Sequence, residues 1–164
     1  MSVLRFVYSV LFVLSAGVSA VSAQGTQVAF GTVQDNSGLP VEVTSENLSV
    51  DENTGIAIFT NNVVAIQGEM RLSSDRLDVF YNNEAQAVER FEATGNVILI
   101  SGPDAAEAEW AEYIVGDGRI VMKENVLVSQ GPSTITSDEM VVFVDDGTAQ
   151  MTGNVKTVFQ TGDQ

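Results

Sequence analysis

The side chains that most enzymes rely on are missing from this 164-residue chain, which has no His and no Cys. Ser-His-Asp and Cys-His nucleophiles and His-ligated metal sites are therefore excluded. What remains is carboxylate chemistry. Three acid pairs stand close enough in sequence for it: Asp75 with Asp78, Asp138 with Glu139, and Asp145 with Asp146. A glycosidase needs two carboxyls across a sugar cleft, usually lined with aromatic platforms. Aromatic residues make up 7% of the chain and Trp110 is its one Trp, too few for such a cleft. The acids instead occupy turns and repeating strand positions, as solvated faces and turn chemistry do. Asp145-Asp146-Gly147 reads as a hairpin turn of the Asp-Gly kind, and the EF-hand order of acids is absent. The expectation is a protein that is not an enzyme, with no catalytic residue, metal or cofactor.

The elements that carry these acids repeat. An Asn-Val pair is followed by a Gly at Asn62-Val63 to Gly68, Asn96-Val97 to Gly102, Asn125-Val126 to Gly131 and, two residues later than in the others, Asn154-Val155 to Gly162. The Asn positions lie 34, 29 and 29 residues apart, and a period of roughly 30 marks stacked, self-similar units. Between them runs a second phrase of hydroxyl, acid, spacer, apolar, spacer, apolar: Thr44 to Val50, Ser73 to Val79 and Thr136 to Val142. The third unit keeps a blurred copy, Ala106-Glu107-Ala108-Glu109-Trp110. Turn residues at Asp51–Gly55, Asn82-Asn83-Glu84, Gly116-Asp117-Gly118 and Asp145-Asp146-Gly147 fall between the two phrases of each unit. Each unit is thus an acid-phrase strand, a turn and an Asn-Val strand. The Asn residues suit bends that need φ > 0 rather than catalysis. Ala85 to Arg90 is too short for a stable helix and reads as turn and strand.

Alternation assigns side chains to faces. Val41 with Val43, Leu48 with Val50, Leu77 with Val79, Val97 with Leu99, Tyr113 with Val115, and Met140 with Val142 each lie two apart and share a side. Val97-Ile98-Leu99-Ile100 is apolar on both parities, so a two-layer or coiled β-sheet with a greasy interior is expected.

Arg5, the apolar run Phe6 to Val13 and the small residues up to Val21-Ser22-Ala23 have the order of a cleaved signal peptide, residues 1–23. That expectation places the mature chain outside the cytoplasm. Residues 24–38, with Gly25, Gly31 and Gly38 around Val28 to Phe30, read as a loose arm or edge strand, and residues 39–162 as the β domain. Seven Lys plus Arg against 22 Asp plus Glu give a net charge of −15, which repels nucleic acid and anionic membrane faces.

The phrases Val41-Glu42-Val43-Thr44-Ser45-Glu46-Asn47-Leu48-Ser49-Val50-Asp51, Phe59 to Gly68 and Met151-Thr152-Gly153-Asn154-Val155 resemble the OstA-like family over about residues 39–160. Two positions depart from its pattern: Asn61 and Glu124 stand where that family has Gly before the Asn. The resemblance implies an open-ended β-jellyroll of stacked antiparallel strands with an apolar groove along its length. It also implies that the protein binds lipopolysaccharide in the periplasm of a Gram-negative envelope. The lipid would pass from an inner-membrane export complex to an outer-membrane assembly protein, through protomers joined head to tail. Positions matching the family's lipid-facing strands are Val41, Val43, Leu48, Val50, Leu99, Tyr113 and Val115. The alternative is a structural β-repeat interaction domain of the envelope that binds no lipid and packs the same residues as core.

Overall fold

The computed structural model describes residues 26–33, 38–82, 84 and 86–160. The expected signal peptide and Gly162 lie outside the described residues. Its strands are β1 Thr26–Ala29, β2 Glu42–Thr44, β3 Asn47–Asp51, β4 Ile56–Gln67, β5 Met70–Asn82, β6 Ala87–Ser101, β7 Asp104–Ile114, β8 Arg119–Gln130, β9 Ser133–Phe143, β10 Thr148–Thr152 and β11 Lys156–Val158. All join one antiparallel sheet in the order β1-β10-β9-β8-β7-β6-β5-β4-β2, with β3 also on β4 and β11 also on β9. Strands β2 and β3 are thus two halves laid along β4, and β10 and β11 two halves laid along β9.

Both sequence phrases have a structural cause. The Gly that closes each of the first three Asn-Val phrases opens a two-residue hairpin loop, because Gln67 pairs with Met70, Ser101 with Asp104 and Gln130 with Ser133. Gly68, Gly102 and Gly131 have φ of 60°, 57° and 54°, as the first central residue of a type II′ hairpin wants, and Pro follows the last two. The Asn of each phrase ends a left-handed pair, inside the strand at Asn61-Asn62, Gly95-Asn96 and Glu124-Asn125 and between β10 and β11 at Gly153-Asn154. At the first three pairs the ladder skips, between Thr60 and Val63, Thr94 and Val97, and Lys123 and Val126. Two αL residues in succession turn the strand sharply, so β4, β6 and β8 are bent at mid-length.

The acid phrase clasps that bend from the neighbouring strand. Asn96 Nδ2 donates to Asp75 Oδ2 at 2.8 Å, Asn154 Nδ2 donates to Asp138 Oδ2 at 2.8 Å, and Asn62 donates likewise to Glu46. Ahead of each acid, Ser45, Ser74 and Ser137 donate to the carbonyl two residues on, at 2.8, 3.0 and 3.0 Å. The blurred unit has Ala108 where the Ser would be, so its bend lacks that bond. Glu124 holds φ 67° with a side chain that disfavours it. Replacing Glu124 with Gly is expected to raise unfolding stability by about 0.5–1 kcal/mol, read as a shift in urea midpoint.

Bending brings the two ends of the strands together, and the N-terminal arm shows it. Strand β1 pairs with β10 from Thr26↔Met151 to Ala29↔Thr148. Phe30 N then donates to Gly147 O at 3.2 Å, in the turn before β10, while the next residue, Gly31, donates its N–H to Asp104 Oδ2 at 2.9 Å, at the opposite strand end. Consecutive residues thus touch both rims, and the sheet is folded over into two facing halves. Phe30 and Val33 are fully buried between them. The arm is an edge strand as far as Ala29 and part of the core beyond it.

On the outer face, charges form a ladder, paired along one strand at Arg76-Asp78 and Arg90-Glu92 and across strands at Arg90-Glu112 and Lys123-Glu139. Arg76 Nη2 meets Asp78 at 2.9 Å, Arg90 Nη1 meets Glu92 at 2.8 Å and Glu112 at 3.1 Å, and Lys123 meets Glu139 at 3.2 Å. Trp110 Nε1 donates to Glu92 at 3.1 Å; that bond, with help from Arg90, holds the Glu92 carboxyl below its usual range. A depressed folded-state pKa contributes stability above the unfolded value near 4.5, and the contribution is lost as pH falls through the folded pKa. Glu92→Gln is therefore expected to flatten the acid limb of a stability-versus-pH curve and leave its slope above pH ~6 unchanged.

Candidate functional site

The folded sheet is filled unevenly. Toward β8, β9 and β10 the interior is solid, with Met122, Val128, Met140, Val142 and Met151 fully buried against Phe30 and Val33. Toward β4, β5 and β6 the inward side chains include Ala57, Ala65 and Ala93, and the space they leave is a cavity. Its inner chamber, of about 40 Å³, is walled by Leu72, Leu77, Ala93, Leu99, Ala111 and Ile120. An outer trough of about 840 Å³ runs past Leu39, Val43, Ala57, Phe59, Val79, Val88 and Val115 to the rim at Asp145. Val41, Gln67, Phe91 and Tyr113 line both spaces and so form the neck between them.

The neck is nearly apolar. Phe91 and Tyr113 stack with centroids 6.1 Å apart and planes at 12°. Burial pushes the Tyr113 phenol up, keeping it a neutral donor at ordinary pH. The Gln67 amide lies beside it, with Nε2 donating to the Leu39 carbonyl at 2.8 Å. An apolar chain laid in this groove would exchange water for hydrocarbon walls at about 25 cal/mol per Å².

Of the residues singled out in the sequence, Val41, Val43, Tyr113 and Val115 line the trough and Leu99 lies deeper, in the inner chamber. Leu48 and Val50 are not brought together with them. They pair with Phe59 and Ala57, so they face the same way, but β3 is an edge strand and they stand 57% and 61% exposed. They carry the apolar wall beyond the trough to the sheet's margin. Sequence reasoning missed Gln67, Phe59 and Phe91; the signal available was parity, since Phe59 and Gln67 share a face with Val63 and Ala65 on β4. The acids have other work: Asp75 and Asp138 hold bends, Asp78 and Glu139 sit in the outer ladder, and Asp145 packs against the Gly118 turn.

Residues 42–148, which hold most of the groove's lining, match the family described as "LptA/(LptD N-terminal domain) LPS transport protein". The chain belongs to this family. Its part in lipopolysaccharide transport follows from that membership. A relative from Rhizobium meliloti (strain 1021), "Uncharacterized protein R00383", is 29% identical over 141 residues, covering 81% of this chain and 76% of that protein. Among solved structures, the crystal structure of LptH from Pseudomonas aeruginosa superposes with a TM-score of 0.68 at 17% identity, over 76% of this chain and 98% of that one. LptH is described there as the LptA-homologous periplasmic component of the lipopolysaccharide transport device. The antiparallel jellyroll expected from the OstA-like phrases is therefore the fold of this LptA-like chain. Among the described residues no helix is long and apolar enough to cross a membrane.

Proposed function

We propose that this LptA-like protein is a periplasmic bridge that shields the acyl chains of lipopolysaccharide between an inner-membrane export complex and an outer-membrane assembly protein. The carrying observation is the apolar groove, which opens along the β2–β4 side and continues onto the exposed Leu48 and Val50 of an edge strand. Transport is passive shielding: lipid advances by exchanging one apolar wall for the next, with no bond made or broken.

Continuity between protomers rests on the two sheet margins. Among the described residues, strands β2 and β3 border one margin and β1 and β11 the other, and the outer side of each has no strand paired to it. Pairing unlike margins head to tail satisfies the backbone groups of those sides and sets trough against trough. The solid packing toward β8 to β10 favours a second reading, a β-repeat interaction domain that binds no lipid. Depleting the protein from its own cells separates the two. The bridge reading expects newly made lipopolysaccharide to accumulate at the inner membrane, whereas arrival at the outer membrane at the normal rate would contradict it.

A further inference from the structure

One inward row crosses the folded sheet in unbroken register. Leu77, Ala93 and Ala111, which wall the inner chamber, continue through successive cross-strand partners into Met122, Met140 and Met151. The same apolar wall therefore runs from the cavity to the β10 side. What differs is the filling: the first half faces open space, while the second is covered by Phe30 and Val33 of the arm, both fully buried in the core cluster. There the arm is a strap laid on the sheet rather than a strand of it. Strand β1 ends at Ala29, and beyond it the backbone is held by single hydrogen bonds, from Phe30 N to Gly147 O, Gly31 N to Asp104 Oδ2 and Thr32 N to Ser101 Oγ. A segment held in this way opens locally, without dismantling a strand ladder. The methionines beneath it are the side chains best able to repack against a different apolar filling.

We infer that residues 30–33 are a displaceable plug, seated on a second acyl site that a lipid with several acyl chains claims by expelling the arm. The trough of about 840 Å³ has the size of a site for one small ligand, roughly 300–1,000 Å³. A single fatty acid is held there with the arm in place. A lipid carrying several chains overfills the trough and reaches the methionine wall only where Phe30 and Val33 have left it. Apolar burial is then exchanged rather than lost, and Asp104 and Gln130, half-buried at the rim, return to water. Arm and lipid compete for one surface, so fixing the arm lowers affinity for the larger lipid alone. This inference rests on the groove's taking acyl chains and adds how its closed half opens.

The test clamps the arm. Phe30 N bonds to Gly147 O, so Ala29 and Thr148 form the adjacent non-hydrogen-bonded pair, whose Cα atoms lie about 4.5 Å apart, within disulfide range. The chain has no Cys of its own, so Ala29→Cys with Thr148→Cys gives a single defined bond on oxidation. In the oxidised form lipopolysaccharide binding is expected to fall at least about tenfold and to recover on reduction, while binding of a fluorescent fatty acid is unchanged. Hydrogen exchange on the wild type reads the displacement itself. Saturating lipopolysaccharide is expected to speed exchange at the Phe30, Gly31 and Thr32 amides, and saturating stearic acid to leave them protected. Should the double variant fail to fold or oxidise, the exchange series decides. Lipopolysaccharide binding with the arm amides unchanged or slowed, equal loss of both lipids in the clamp, or no loss of either would overturn the plug while leaving the groove reading in place. Fatty acid binding without lipopolysaccharide binding would do the same. No binding of either lipid would sink both.

Discussion

Replacing Phe30 with Ala is expected to lower the unfolding free energy by about 3–5 kcal/mol, among the largest costs of any single truncation in this chain. Phe30 is fully buried where the arm crosses between the folded halves of the sheet. The backbone around it is fixed on both sides: Gln130 Nε2 donates to the Ala29 carbonyl at 2.7 Å, and Thr32 N donates to Ser101 Oγ at 3.0 Å. Walls held by strand ladders collapse poorly, so the removed ring leaves a cavity rather than a repacked core. A Cβ on Gly31 would run into Ser101, including its backbone carbonyl, so the arm has no room to slide and refill the space. Equilibrium urea denaturation measures the loss, with the m-value unchanged. A cost below about 1 kcal/mol would mean that the arm is not part of the core.

Val43→Asp is expected to weaken acyl-chain binding at least about a hundredfold, because a carboxylate covered by hydrocarbon must shed water with no partner to replace it. The same change should cost the fold little. Val43 sits on a three-residue edge strand, half-buried, where the unliganded trough leaves the carboxylate access to water. That separation of binding from stability identifies a groove wall. Displacement of a fluorescent fatty acid, run beside urea denaturation, reads both quantities. Equal losses in the two would mark Val43 as ordinary core.

Most of the fold is legible in the sequence because its devices are local. Gly68, Gly102 and Gly131 announce II′ hairpins, Asn62, Asn96 and Asn154 announce left-handed bends, and the acid phrase supplies the clasp to each. Even the blurred third unit makes sense, since Ala108 removes a bond that Ser74 and Ser137 make elsewhere. The arm was illegible for the opposite reason. Its glycines suggest looseness, while its partners Gly147 and Asp104 are 117 and 73 residues away from Phe30 and Gly31. Nothing local to Phe30 signals a contact at that range. The groove was half legible: alternation places Leu48 and Val50 on the inward face but says nothing of depth, which depends on whether another strand lies beyond β3. Gln67 escaped notice because a polar residue before a turn Gly reads as solvent-facing, and only folding the sheet over encloses it.

On the bridge reading, lipopolysaccharide acyl chains run inside the folded sheet. Photo-crosslinking in living cells addresses it directly, with a photoreactive residue placed at Val43 or Leu99 inside the groove and at Ile98 on the outer face of the same strand as Leu99. Lipopolysaccharide adducts are expected from Val43 and Leu99 and none from Ile98. Absence of adducts from both interior positions in a correctly folded protein, or equal yield from Ile98, would contradict the bridge reading.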